Sequence, residues 1–242
     1  MLRDLEIFRT TEPPRHCSYL PQETASLQYR FFESLTADQF QELLIRGWRR
    51  HGNHIFRHAC PECRQCVSIR VDVASFKPSK SQRRVLNRNR HISVELHPAT
   101  VSKQHVDLYN AWHAEREESR GWRNSRMTTE EYAHGFLAGD YGFAHEMRYF
   151  EGSTLVGVGL VDLVPAGISS VYFYYDPRWR PLGPGTYSAL CEIELCRTHG
   201  LPHLYLGYWI ANCPSMAYKN QFEPYETLTP SPHDQEQPIW VP

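Results

Sequence analysis

Gly167-Ile168-Ser169-Ser170-Val171-Tyr172-Phe173-Tyr174-Tyr175 is followed, after Asp176-Pro177, by Leu182-Gly183-Pro184-Gly185-Thr186. The first stretch is crowded with β-branched and aromatic residues, and a strand is predicted from Ile168 to Tyr175. The second is a Gly/Pro turn that opens a helix at Thr186. Ala189, Leu190, Ile193 and Cys196 set its helical period, and Gly200 with Pro202 stops it. Leu204 to Ile210 then reads as a buried strand. Upstream, two more strands are expected at about 143–150 and 154–164, joined through Glu151-Gly152-Ser153, and Pro165-Ala166-Gly167 turns the second into the third.

The order hairpin, strand, glycine turn, helix, strand predicts an α+β protein: an acetyltransferase-like (GNAT-type) mixed sheet with flanking helices, following a Cys-rich N-terminal region. In the N-terminal part, Pro13-Pro14 and Cys17-Ser18-Tyr19-Leu20-Pro21 read as loop. Thr36 with Gln39 forms a capping box for a helix with Phe40, Leu43 and Leu44 on its apolar face, ended by Gly47. Val67 to Val73 alternates as a half-buried strand, and Ile92, Val94 and Leu96 repeat the pattern. Helices are expected over about 101–119 and from Thr129 to about Leu137. The Pro-rich tail after Leu228 is expected to be loosely held. The expected division is 1–98, Cys-rich with a basic segment, and 99–242, the transferase-like domain.

Three cysteines recur at a spacing of three in Cys60-Pro61-Glu62-Cys63-Arg64-Gln65-Cys66. Thiolates so placed converge on one ion from a single tight loop, which suits zinc or an iron–sulfur cluster. Lys77, Lys80, Arg83, Arg84, Arg88 and Arg90 fall in one segment without an acidic residue, although the whole chain carries a net charge of only −1. That asymmetry marks a local polyanion site on an otherwise acidic body and excludes a globally basic binder. The first residues have no signal-peptide pattern and no apolar run approaches about 18 residues, so a cytoplasmic protein with no membrane partner is expected. There, closely spaced thiols hold metal or stay reduced.

Several of these segments resemble the aminoacyl-tRNA–protein transferases, which place arginine or leucine on protein N-termini. The resemblance spans roughly residues 15–228. It rests on Cys17-Ser-Tyr-Leu-Pro21, Gly47-Trp-Arg-Arg50, the Cys60/Cys63/Cys66 knuckle and Phe76-Lys-Pro-Ser-Lys-Ser-Gln-Arg-Arg84. Further matches are Tyr175-Asp-Pro177, Tyr187-Ser-Ala-Leu190, Tyr205-Leu-Gly-Tyr208 and Cys213-Pro-Ser-Met-Ala-Tyr-Lys219. It implies transfer of an aminoacyl group from charged tRNA to the α-amine of a protein beginning with Asp or Glu, marking it for degradation, with no nucleotide or CoA consumed. Tyr175-Asp-Pro177 and Tyr187-Ser-Ala-Leu190 look closer to the arginyl branch, so arginyl stands slightly ahead of leucyl. Two segments depart from the family: Gly183-Pro184-Gly185 replaces Ser-Leu-Gly and loses an N–H donor, and Arg120 to Arg126 diverges from the leucyl branch.

On that resemblance, Cys17 joins Cys60, Cys63 and Cys66 as ligands of zinc or an iron–sulfur cluster. Lys77, Lys80, Arg83 and Arg84 are expected on tRNA phosphates. Asp176 and Tyr208 are the candidate catalytic residues, a carboxylate or a tyrosine-held water taking the amine's proton. Tyr218, with Tyr208, is placed on the terminal adenosine and Lys219 on the acceptor's acidic side chain. Two rivals stay open: an acyl-CoA-dependent N-acyltransferase on the same fold, and a non-enzymatic RNA- or zinc-binding module.

Overall fold

Thr36 and Gln39 cap each other in the computed structural model, which describes residues 5–121, 126–139, 141–228 and 230–242. The Thr36 hydroxyl accepts from the Gln39 N–H and the Gln39 amide oxygen from the Thr36 N–H, so helix α1 (Ala37–Leu44) starts where the sequence places it. It buries Phe40, Leu43 and Leu44.

Pro13-Pro14 and Cys17 to Pro21 are loop as expected, and strands surround them. Strands β1 (Glu6–Thr11), β4 (Leu27–Phe32), β5 (Arg49–His51) and β6 (His54–His58) form a four-stranded antiparallel sheet ordered β1-β4-β6-β5. The short pair β2 (Arg15–His16) and β3 (Thr24–Ala25) lies beside it. Buried Arg30 is held by Glu6 and reaches Asp234 at 3.6 Å, which ties strand to tail.

The second sheet has eight strands. They are β7 (Val67–Asp72), β8 (Ile92–Pro98), β9 (Ala144–Glu151), β10 (Thr154–Val164), β11 (Gly167–Tyr175), β12 (His203–Trp209), β13 (Tyr225–Leu228) and β14 (Trp240–Val241). Their order is β14-β13-β7-β12-β11-β10-β9-β8, and β11–β12 alone is parallel among the described pairings. The molecule is therefore a mixed α+β fold built on a large mixed sheet. The boundary expected at residue 98 cuts through this sheet, because β7 and β8 belong to it while the four-stranded sheet ends at His58.

Helices cover both faces. Helix α3 (Lys103–Arg120) packs Val106, Tyr109 and Trp112 on Val158, Leu160 and Tyr174. Helix α4 (Thr129–Tyr132) runs into a π-turn over Ala133–Leu137 on the same side. Helix α5 (Pro184–Thr198) puts Tyr187, Leu190 and Ile193 in the core that holds Ile69, Ile168 and Leu204. Each such side chain removed from water contributes about 1.5–3 kcal/mol. The basic segment is itself a helix, α2 (Lys80–Arg88), with Ser79 and Gln82 as its capping box. Buried Gln82 donates to the Gln221 carbonyl, and Asn89 joins Leu182 O to the Trp179 indole at 2.9 and 2.7 Å. The tail expected to be loose is pinned by β14 and by the Trp240 indole, which donates to Ile45 O. In the diverging segment Arg120–Arg126, residues 122–125 lie outside the described residues.

Candidate active site

Strands β11 and β12 share only the register pairs Ile168↔Leu204 and Ser169↔Tyr205. Beyond them the strands part. A parallel ladder that stops so early leaves backbone carbonyls inside the sheet without strand partners, and buried carbonyls need donors. Arg49, reaching in from β5, donates to the Ser170 carbonyl on one arm. Lys219 donates to the Tyr208 carbonyl on the other at 2.7 Å. Both cations are buried, and both approach Gly207, whose φ of +86° suits glycine and follows a register shift against β7. Burial, with Arg49 as the next cause, lowers the Lys219 ammonium to about 7. Burial also lowers the Arg49 guanidinium.

A carboxylate faces Arg49 from α5. Glu192 is buried, accepts from Ser188 Oγ at 3.2 Å and from Ser170 Oγ at 3.4 Å, and leaves Oε2 without a partner among the described residues. Burial raises it to about 7 against the pull of those two hydroxyls. Nearby, Arg50 sends Nε and Nη2 to Asp162 Oδ1 at 2.9 and 2.6 Å, a fully buried ion pair.

A cleft of about 580 Å³ opens at the end of β11. Tyr175, the α5 start at residues 183–186, Tyr218, Trp112 and Arg116 line it. Gly183 takes φ +74° so that Pro184 can begin α5 as its first helical residue, where the missing N–H costs no helical bond. Tyr218 exposes 40% of its surface, yet burial of the hydroxyl pushes it up to about 12, with Glu192 adding to the shift.

The candidate residues fall as follows. Asp176 caps the short helix Pro177–Leu182 and both of its oxygens are taken by Arg178, at 2.6 Å for the closest contact. That hydrogen bond holds it below the usual carboxylate range, which suits a cap better than a base. The Tyr208 hydroxyl donates to Gly47 O at 2.8 Å and is raised by burial. Lys219 points into the fork rather than to solvent. Lys77, Lys80, Arg83 and Arg84 are exposed, and α2 meets the cleft rim where Val85 faces Gly183.

Cys17, Cys60, Cys63 and Cys66 are neighbours. Burial pushes the Cys66 thiol up to about 12, and Cys60, Cys17 and Cys63 all add to the shift. The N–H groups of Tyr19 and Leu20 both donate to Cys17 Sγ. No three Cys, His, Asp or Glu side chains among the described residues close into a metal-holding group. The set has the right donors, gathered but not converged.

Sequence reasoning passed over Arg49, Glu192 and Arg116. Arg49 lies in the quoted Gly47-Trp-Arg-Arg50 motif, which was the available signal. Glu192 sits on the helical face of Ser188 and Leu195, and nothing local distinguishes it from a surface acid.

Comparison with known proteins adds chemistry to this geometry. Residues 15–84 match the family described as arginine-tRNA-protein transferase, N terminus, and residues 104–229 its C terminus. An aspartate/glutamate leucyltransferase of Helicobacter hepaticus is 37% identical over 224 residues, 93% of each chain. Another, of Chromohalobacter salexigens, is 35% identical over 231 residues, 94% of this chain and 92% of its own. A solved structure of L-PGS from Bacillus licheniformis aligns with TM-score 0.47 and 12% identity over 81% of this chain and 69% of that one, too loosely to argue from. Among the described residues no helix is long and apolar enough to cross a membrane.

Proposed function

The chain belongs to the arginine-tRNA-protein transferase family and is an aminoacyl-tRNA–protein transferase, and on that premise we propose that it moves leucine from charged tRNA to the α-amine of proteins beginning with Asp or Glu. The names of its relatives support leucine over the arginine that Tyr175-Asp-Pro177 first favoured. The observation that carries the site is the fork: β11 and β12 separate after two register pairs and lead into a cleft large enough for an aminoacylated adenosine and a peptide N-terminus. Antiparallel β9-β10-β11, then α5, then parallel β12 also support the GNAT-type reading of the fold.

In the cleft the neutral α-amine attacks the ester carbonyl carbon. A C–N bond forms, the C–O bond to the ribose oxygen breaks, the amine gives a proton to water and the ribose oxygen takes one. An α-amine with a pKa of about 7.7–8.0 needs no strong base, so Asp176 is read as a cap. The Tyr218 ring is the stacking surface for adenine. The α2 cations lead tRNA phosphates to the rim, positioning without reading sequence. Arg49 and Lys219 hold the fork open, in place of the acceptor contact expected of Lys219. The four thiols are the proposed holders of zinc or an iron–sulfur cluster that staples the N-terminal part; metal content lost in Cys63→Ser tests this. The cytoplasm, where charged tRNA is made, is the proposed location.

Incubation with labelled leucyl-tRNA or arginyl-tRNA and an Asp-initiated peptide tests the reaction. Leucine should appear on the peptide. Transfer from arginyl-tRNA alone would reverse the donor assignment, and acetylation from acetyl-CoA with transfer from neither tRNA would replace it with the CoA reading.

A further inference from the structure

Arg116 stands in the wall of the cleft with its charge only half answered. It lies on α3, is 8% exposed, and its guanidinium carbon sits 5.0 Å from the Trp112 ring centroid. Nη2 donates to the Tyr175 hydroxyl at 3.0 Å. Nε and Nη1 are buried and have no hydrogen-bond partner among the described residues. Glu115 comes within 3.5 Å of Nε, but the same carboxylate is engaged by Arg180 at 2.5 Å. Among the described residues, two guanidiniums therefore share the one Glu115 carboxylate.

Buried guanidinium donors without acceptors are costly. They are tolerated where a ligand completes them, and a planar fork fits a carboxylate. We propose that Arg116 receives the side-chain carboxylate of the acceptor's N-terminal Asp or Glu and sets the preference for acidic N-termini, an inference that rests on the transfer reading above. Trp112 and Tyr175 fix the guanidinium before the acceptor arrives, so little ordering remains to be done on binding. Two unpaired N–H groups on one planar guanidinium match the two oxygens of one carboxylate. A carboxylate on a short side chain reaches a nearly buried donor, whereas a phosphodiester would bring two riboses with it. The exposed cations of α2 suit phosphates better.

The test compares kcat/KM for peptides beginning with Asp and with isosteric Asn, in wild type and Arg116→Gln, with leucyl-tRNA affinity measured in parallel. The Asp/Asn ratio should fall by about 30-fold or more, chiefly through KM for the acidic peptide, with tRNA affinity unchanged. If Arg116→Gln does not fold, Arg116→Lys decides: it keeps the charge, loses the fork, and should lower the ratio several-fold. An unchanged ratio in the folded variant overturns the assignment, as does a loss of tRNA affinity with the ratio intact, which would make Arg116 a phosphate contact. Wild-type transfer to neither peptide would overturn the transfer reading itself and this inference with it.

Discussion

The ammonium of Lys219 sits 2.7 Å from the backbone carbonyl of Tyr208, inside the angle where β11 and β12 part. A sheet gives up ladder bonds there, and a buried side chain takes their place. The other arm is held in the same way by Arg49 at Ser170. The opening is thus lined by two cations that substitute for a missing stretch of parallel pairing.

The carboxylate facing Arg49 should tilt stability with pH. Glu192 rises from 4.5 unfolded to about 7 folded. The folded state therefore holds the extra proton between those values, and the stability it confers is complete below pH 4.5 and lost as pH rises through 7. Relative to Glu192→Gln, the wild type should lose up to about 3 kcal/mol across that window, at about 1.4 kcal/mol per pH unit. Urea melts at pH 4.5, 6 and 7.5 measure it, and a difference flat with pH would show that Glu192 is not buried as described.

Arg50 and Asp162 form a buried pair with both donors on one oxygen. Arg50→Met should cost about 3–5 kcal/mol, since it leaves Asp162 charged and alone. Adding Asp162→Leu should recover most of that loss. Denaturant unfolding of the single and double variants checks it; a single-variant cost under 1 kcal/mol would mean that water reaches the site.

On α2, replacing Lys80, Arg83 and Arg84 together by Gln should weaken tRNA binding and flatten its salt dependence. Each lost phosphate contact reduces the slope of log affinity against log salt by about 0.7–0.9. Filter binding at several salt concentrations reads the slope, and an unaltered one removes α2 from the interface.

Asp176→Asn separates a cap from a base. As a cap already satisfied by Arg178, it should cost about 1 kcal/mol of stability and leave kcat within a few-fold. A loss of 10²–10⁴ in kcat, with the melting temperature preserved, would return Asp176 to the chemistry.

Local signals in the chain carried the helices and the central strands well. The Thr36–Gln39 box specifies its helix through contacts three residues apart, and the β-branched and aromatic run from Gly167 to Tyr175 specifies its strand through local propensity. The four-stranded N-terminal sheet was illegible because its strands hide charged residues: Arg30 is buried only because Glu6 and Asp234, far away in sequence, come to meet it. The basic segment, given no secondary structure from its sequence, is a helix because Ser79 and Gln82 cap it, a box of the kind recognised at Thr36. The candidate site was legible as motifs and not as roles. Arg49 and Lys219 both stand in quoted segments, yet which cation turns inward is decided by where β11 and β12 separate, and no local pattern shows that.

The central claim is that the cleft beyond that separation is where ester and amine meet. A crystal structure with a stable amide analogue of leucylated adenosine tests it most directly. The adenine should lie against Tyr218 and the leucyl carbonyl between Tyr175 and the start of α5 at Gly185-Thr186. An analogue bound elsewhere, with this cleft left to solvent, would contradict it.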